Sequence, residues 1–218
     1  MNGIDFLLWV KGPGFYIALF IFALGVVLRI LEVLLLGKNK KFSSSKGSRV
    51  KGGFKAIFAR NVPDGDTFKK NMLTVVAGYV FHLGFFVILL LFAPHIEVVE
   101  SIFGLSWPSL RSPLIDGISV ITIAAMVILL LHRINHKVKR FLSDFDDYLS
   151  WTITFLPLLT GYISFNHLFF APQTALALHI LSVEIFMILF PFTKLMHAFT
   201  MFIARWYNGS TLGWKGVN

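Results

Sequence analysis

The chain has 218 residues, of which 56% are hydrophobic and only 14% charged, with 24 Phe and a mean hydropathy of +0.74, against roughly 25% charged residues in a soluble domain. A water-soluble fold of this size has too little interior to hide so much apolar surface, so the composition predicts a polytopic membrane protein. No cysteine is present, which excludes disulfides, thiolate metal sites, protein-bound iron–sulfur clusters and thiol catalysis, and leaves histidine and carboxylates to carry any metal chemistry. The formal net charge of +9 is concentrated in two loops, the pattern of a membrane protein rather than of a nucleic-acid binder.

Five apolar runs follow one another along the chain, at about 14–36, 72–93, 115–131, 149–165 and 174–203, each near the ~20 residues that cross a bilayer core. They predict an all-α fold, a five-helix transmembrane bundle that forms one domain over 1–218. The first run is too long for a signal peptide, follows a short Lys11-Gly12-Pro13 lead and precedes four more spans, so it is expected to remain as a span. Ten Lys or Arg lie between Lys38 and Lys70 and four between Arg133 and Arg140, while the 94–115 loop has only Arg111 and the 166–173 loop has none. Basic loops collect on the cytoplasmic side, so the N-terminus is expected outside and the C-terminus in the cytoplasm, in a multi-pass protein of the cytoplasmic (inner) membrane.

The Lys38 to Lys70 stretch, with Ser43-Ser44-Ser45, Gly47 and Gly52-Gly53, is expected to begin as a loop of low order and to meet lipid headgroups or a partner subunit. Pro94 ends the second run, Pro157 lies inside the fourth and Pro191 inside the fifth. Kinks are expected there, because each proline frees a carbonyl that neighbouring helices must satisfy. Trp9, Trp107, Trp151, Trp206 and Trp214 all fall near span boundaries, as in an interfacial aromatic belt.

A histidine inside a bilayer is costly unless bonded, so each one in a span is a functional candidate. Four of the seven qualify: His82 in mid-span, His95 at the outer end of the same run, and His179 and His197 towards opposite ends of the fifth run. In one unbroken helix, the 18 residues from His179 to His197 make five turns and put both rings on one face, about 27 Å apart. One metal ion cannot be shared over that distance, whereas two stacked haems can each take a ligand from this helix. Span two runs outward and span five inward, so depth matching pairs His82 with His197 on the inner side and His95 with His179 on the outer side. The 13 residues between His82 and His95 would put those rings on nearly opposite faces of an ideal helix, and Pro94 is expected to bend the helix end and turn His95 towards the bundle.

The other candidates have competing readings. His132 and His136 have the spacing of a helical metal pair but sit among Arg133, Lys137, Lys139 and Arg140, so they read as solvated boundary side chains. His167, in the short outer loop, is either a surface residue or one that faces a substrate near the outer haem. Arg29, Lys194 and Arg205 are candidate partners of haem propionates, the alternative being an Arg29–Glu32 helical pair and ordinary boundary charges. Glu184, among apolar residues, has no local cation in sequence and reads as a protonated, bonded carboxyl or as one that takes part in proton release from a quinol.

Phe81-His82-Leu83-Gly84, the His179 to His197 spacing and Phe190-Pro191-Phe192-Thr193-Lys194-Leu195-Met196-His197 resemble the gamma subunit of respiratory nitrate reductase and its relatives, the membrane cytochrome b subunits of heterodisulfide-reductase-type and sulfate-respiration complexes. Weaker matches extend over nearly the whole chain: Gly12-Pro13-Gly14, Trp107-Pro108, Asp147-Tyr148 and Leu158-Leu159-Thr160-Gly161-Tyr162. The resemblance implies five helices, two bis-histidine b-type haems, quinol or quinone exchange near the outer haem, and electron transfer to or from a cytoplasmic iron–sulfur subunit. His82 and His197 would hold the inner haem, and His95 and His179 the outer one. The sequence departs from the nitrate reductase branch at His95, three residues beyond the second span-two ligand of that branch, where Phe92 stands here.

The function expected from all this is a dihaem b-type membrane anchor. It carries electrons between the membrane quinone pool and a cytoplasmic redox partner, as the electron-transfer subunit of a quinone-linked oxidoreductase, in contact with lipid and quinone and with no nucleic-acid partner. The alternatives are a single-haem relative, a cofactor-free proton-coupled transporter and a purely structural anchor.

Overall fold

The computed structural model describes residues 3–36 and 44–217, and every regular element among them is helical. The start of the basic loop, with Lys38, Lys40, Lys41 and Ser43, lies outside the described residues. The helices are α1 (Gly3–Trp9), α2 (Phe15–Leu35), α3 (Arg49–Ala59), α4 (Gly65–Leu91), α5 (Ala93–Phe103), α6 (Ser112–Asn135), α7 (Lys137–Leu142), α8 (Phe145–Phe165), α9 (Pro172–Leu189) and α10 (His197–Trp214). A π-type turn, Val10–Gly14, joins α1 to α2, so the first apolar helix begins at Gly3 and not near residue 14.

Four stretches are long and apolar enough to cross a membrane: Gly3–Leu35, Gly65–Leu91, Ser112–Asn135 and Pro172–Phe192. The protein is an all-helical, multi-pass membrane protein. Large apolar side chains such as Tyr16, Phe20, Leu83 and Ile121 point outward, which is unfavourable in water and natural against lipid tails. The fourth expected run is helical, as α8, 21 residues long, and is not one of these four stretches. Ser150, Thr152, Thr154, Thr160 and Tyr162 make it less apolar than the other four. Its hydroxyls fold back onto its own backbone, with Thr152 donating to Tyr148 O at 2.9 Å and Thr154 to Ser150 O at 2.7 Å. The helix runs through Pro157 without a break in its dihedral angles.

The fifth run departs from expectation. It is not one helix over 174–203: α9 ends at Leu189, two short 3-10 turns follow at Phe190–Phe192 and Lys194–Met196, and Thr193 between them is extended (φ −119°, ψ 174°). Pro191 supplies no N–H to continue the ladder, and the groups set free by the break find side-chain partners. Arg29 donates its Nε–H to Pro191 O at 3.1 Å, and Asp146 accepts the Lys194 N–H at 3.1 Å. His197 is therefore the first residue of a separate helix, and the five-turn, one-face relation to His179 does not apply.

The second run also breaks. Helix α4 stops at Leu91, Phe92 is extended, and α5 starts with Pro94 in its first turn, where the missing N–H of proline costs nothing. Trp107 donates its Nε1–H to Leu90 O at 2.6 Å and the Leu110 N–H goes to Leu91 O at 2.8 Å, so the 104–111 loop covers the carbonyls left at the end of α4. Helix α4 packs on α6, α8 and α2 pack on α9, and α3 packs on α10. At the α4–α6 crossing Gly84 leaves no room for a Cβ against the Thr122 side chain, and at the α3–α10 crossing Gly52 leaves none against the Gly209 carbonyl. Such close approach is how small residues join helices in lipid, where no hydrophobic drive separates helix from solvent.

Candidate functional site

The two breaks bring the four expected histidines together in the expected pairs. The ring centres of His82 and His197 are 6.3 Å apart, and those of His95 and His179 are also 6.3 Å apart. The order 82 then 95 on one strand of chain meets 197 then 179 on the other, so the α4–α5 and α9–α10 segments run in opposite directions and the pairs lie at two levels. The planes differ: the His82 and His197 rings are inclined by 76°, the His95 and His179 rings by 22°.

Each ring is held by its Nδ1. The Nδ1–H of His82 donates to Gly78 O at 2.7 Å and that of His197 to Lys194 O at 2.7 Å. His95 reaches back seven residues to Ile88 O at 3.0 Å, a bond that exists because the chain turns at Phe92. His179 has a side-chain partner, Thr160 Oγ1 at 3.3 Å; the threonine hydroxyl itself donates to Leu156 O at 2.7 Å, which leaves a lone pair for the imidazole. Fixing Nδ1 as the donor makes Nε2 the free lone pair on every ring, as in histidines that ligate metals. A metal bonded at about 2 Å to one nitrogen of each ring, with that nitrogen about 1.1 Å from its ring centre, separates the two centres by about 6.2 Å. Both pairs stand near that separation, so the residues present would suit a group that takes two imidazole nitrogens.

Three residues that sequence reasoning did not single out surround the His95–His179 pair. Thr160 orients His179. Gly161 makes room for the same ring, since a Cβ there would lie 3.0 Å from His179 Cε1. Ser182 Oγ is 2.8 Å from Thr160 Oγ1 and donates to His179 O at 2.6 Å. The signal was present in Leu158-Leu159-Thr160-Gly161-Tyr162, where a hydroxyl and a bare backbone adjoin within an apolar helix.

No protein-family model matches this chain, and no solved structure matches it. A curated protein of Nitratidesulfovibrio vulgaris (strain Hildenborough), whose name is simply Protein, is 32% identical over 145 residues, which are 66% of this chain and 64% of that one. The chain thus covers less than two thirds of the relative's length, and the relative's name assigns no activity.

The remaining candidates are not brought to one point. Arg29 pairs with Glu32 at 2.8 Å besides holding Pro191 O. Lys194 Nζ bonds Asp144 at 2.7 Å and Asp147 at 2.8 Å, and Arg133 joins Asp147 at 3.2 Å. The Lys194 ammonium holds the Asp144 carboxyl below its ordinary value, helped by the Asp147 N–H, and the two carboxylates raise the ammonium in return. Arg205 clasps the end of α3 through Ile57 O, Arg60 O and Asn61 Oδ1. The His132 and His136 rings are 5.4 Å apart, and His136 Nδ1 caps α7 by accepting the Lys139 N–H at 3.4 Å. His167 lies in the turn after α8 with a left-handed backbone (φ 52°).

Proposed function

We propose that the protein is a dihaem b-type cytochrome of the cytoplasmic membrane, which carries electrons between the quinone pool and a redox subunit on the cytoplasmic side. The observation that carries this reading is the pair of 6.3 Å histidine couples, each ring with its Nδ1 engaged. A bare zinc or iron ion needs three or four protein ligands. Among the described residues no three His, Cys, Asp or Glu side chains converge. Haem brings four nitrogens of its own and asks the protein for two, so pairs without a third ligand favour it.

In this reading α8 is the fifth span, the N-terminus is outside and the basic α3 faces the cytoplasm. The resemblance to the nitrate reductase gamma subunit family supports both the ligand set and the partner, an iron–sulfur subunit. When bound, the haems supply one-electron redox chemistry. The protein's own part is to hold two rings at each level and to fix their tautomers through Nδ1. It keeps the outer pair half-buried and leaves the inner pair open. Arg29, Lys194 and Arg205 already have protein partners, so the proposal rests on the histidines.

The test is a reduced-minus-oxidised visible spectrum of the purified protein with quantification of extracted haem. A b-type alpha band that appears on addition of a quinol, with two haems per chain, is the expected result. A protein without that band, expressed where haem is supplied, would be a transporter or a structural anchor instead.

A further inference from the structure

Among the described residues, Glu184 is the one acidic or basic side chain that is buried, 3% exposed, and its Oε1 has no hydrogen-bond partner. It projects from α9 at the first apolar helix, where Gly14 leaves the space it occupies: a Cβ there would lie 2.8 Å from Oε1, 3.1 Å from Oε2 and 2.9 Å from the Trp9 ring. At that point the helix is broken. Gly12 is non-helical (φ −107°, ψ −106°), Pro13 brings no N–H, and the turn is of π type. Irregular backbone within a span is tolerated where it is buried in protein or lines a water-filled cavity.

Among the described residues no cation is paired with the carboxyl. On the facing segment Asp5, Lys11 and Tyr16 are exposed; further along, Arg29 holds Glu32 and Pro191 O. On α8 the nearest titratable group along the helix is Tyr162, and on α9 itself His179 lies five residues back, about 7.5 Å along the axis. A permanent negative charge in such a place is costly. An exchangeable proton removes that cost.

We propose that Glu184, in the gap left by Gly14 at the Gly12–Pro13 break, is an intramembrane proton site coupled to the electron held by the His95–His179 centre. This rests on the dihaem reading above. Each of the two electrons that a quinol gives up reaches that centre in turn while one of the quinol's two protons is taken up at a Glu184 carboxylate oxygen; when the electron moves on, that O–H bond breaks and the proton passes to water. The carboxyl changes protonation only, and the oxidised species is the quinol, which becomes quinone with loss of two electrons and two protons.

The experiment is an electrochemical titration of the full-length protein in lipid, followed at once in the visible and in the carboxyl region of the infrared. The expected result is a protonated-carboxyl band that appears with reduction, is lost in Glu184→Gln and moves in Glu184→Asp. Along with that loss, the midpoint of the outer component becomes less dependent on pH. A normal b-type transition with the same carboxyl band and pH dependence in Glu184→Gln overturns the proton site and leaves the dihaem reading intact. The absence of any b-type transition in the wild type overturns both. If Glu184→Gln does not assemble, the Asp variant decides alone, since an unmoved band rules Glu184 out.

Discussion

The inner and outer histidine pairs have the same spacing and opposite construction. His82 and His197 are anchored locally, each to a backbone carbonyl within the preceding turn, and both remain exposed. His95 and His179 are half-buried and held from a distance, one by the carbonyl seven residues back across a chain break, the other by a threonine on a neighbouring helix. The inner rings keep their own hydrogen bonds as long as their helices are intact, whereas the His179 ring owes its hydrogen bond to a neighbouring helix. This asymmetry can be broken from one side only, because no substitution removes a backbone carbonyl.

The largest effect is expected at Gly161. A leucine there must displace the His179 ring, which already stands 3.0 Å from a hypothetical Cβ, so Gly161→Leu should abolish the outer spectral component and leave the inner one. Simultaneous loss of both would mean that the pairs are not independent. Next is Thr160→Val, which keeps the shape and removes the acceptor of the His179 Nδ1–H. Loss of such an outer-shell partner typically weakens a metal site by about 10–100-fold. Haem retention during detergent titration should fall for the outer component alone.

A third comparison leaves the residues in place. Ferric bis-histidine centres give a more anisotropic low-spin signal when the ring planes approach the perpendicular. The 76° inner pair should therefore have the larger maximum g value and the 22° outer pair the smaller. In electron paramagnetic resonance spectra His82→Ala should remove the more anisotropic signal. Its removal by His95→Ala would reverse the assignment.

The smallest effect belongs to the Lys194 network near the inner pair. The Asp144 carboxyl is held below the ordinary 3.8, so its contribution is present above that value and lost as pH falls through the lowered one. The Lys194 ammonium is held above the ordinary 10.5, so its contribution is present below that value and lost as pH rises through the raised one. Lys194→Met should lower Tm slightly between those limits, with the difference vanishing in acid. Both groups are exposed, and surface pairs stabilise little.

Much of this was legible in the sequence, because hydropathy and charged loops do not depend on detail. The antiparallel pairing of His82 with His197 and His95 with His179 followed from depth alone. The route to it was not legible. A five-turn relation between His179 and His197 requires an unbroken helix, and the helix breaks at Phe190–Met196; the pairing holds because Arg29 and Asp146 stabilise that break from other helices. His95 turns inward as expected of a chain bent near Pro94, but the bend itself is at Phe92, where Trp107 and Leu110 take up the free carbonyls. Thr160 and Gly161 escaped because their role depends on a facing helix. The Gly12 break escaped because a Gly-Pro-Gly lead reads as a loop unless the residues before it are helical too.

The most direct measurement is haem content per chain in the wild type, His197→Ala and His179→Ala, purified from membranes with folding checked by circular dichroism. The account predicts two haems in the wild type and one in each variant, the retained haem differing spectrally between the two. Two haems in either variant, or the same haem retained in both, would contradict it.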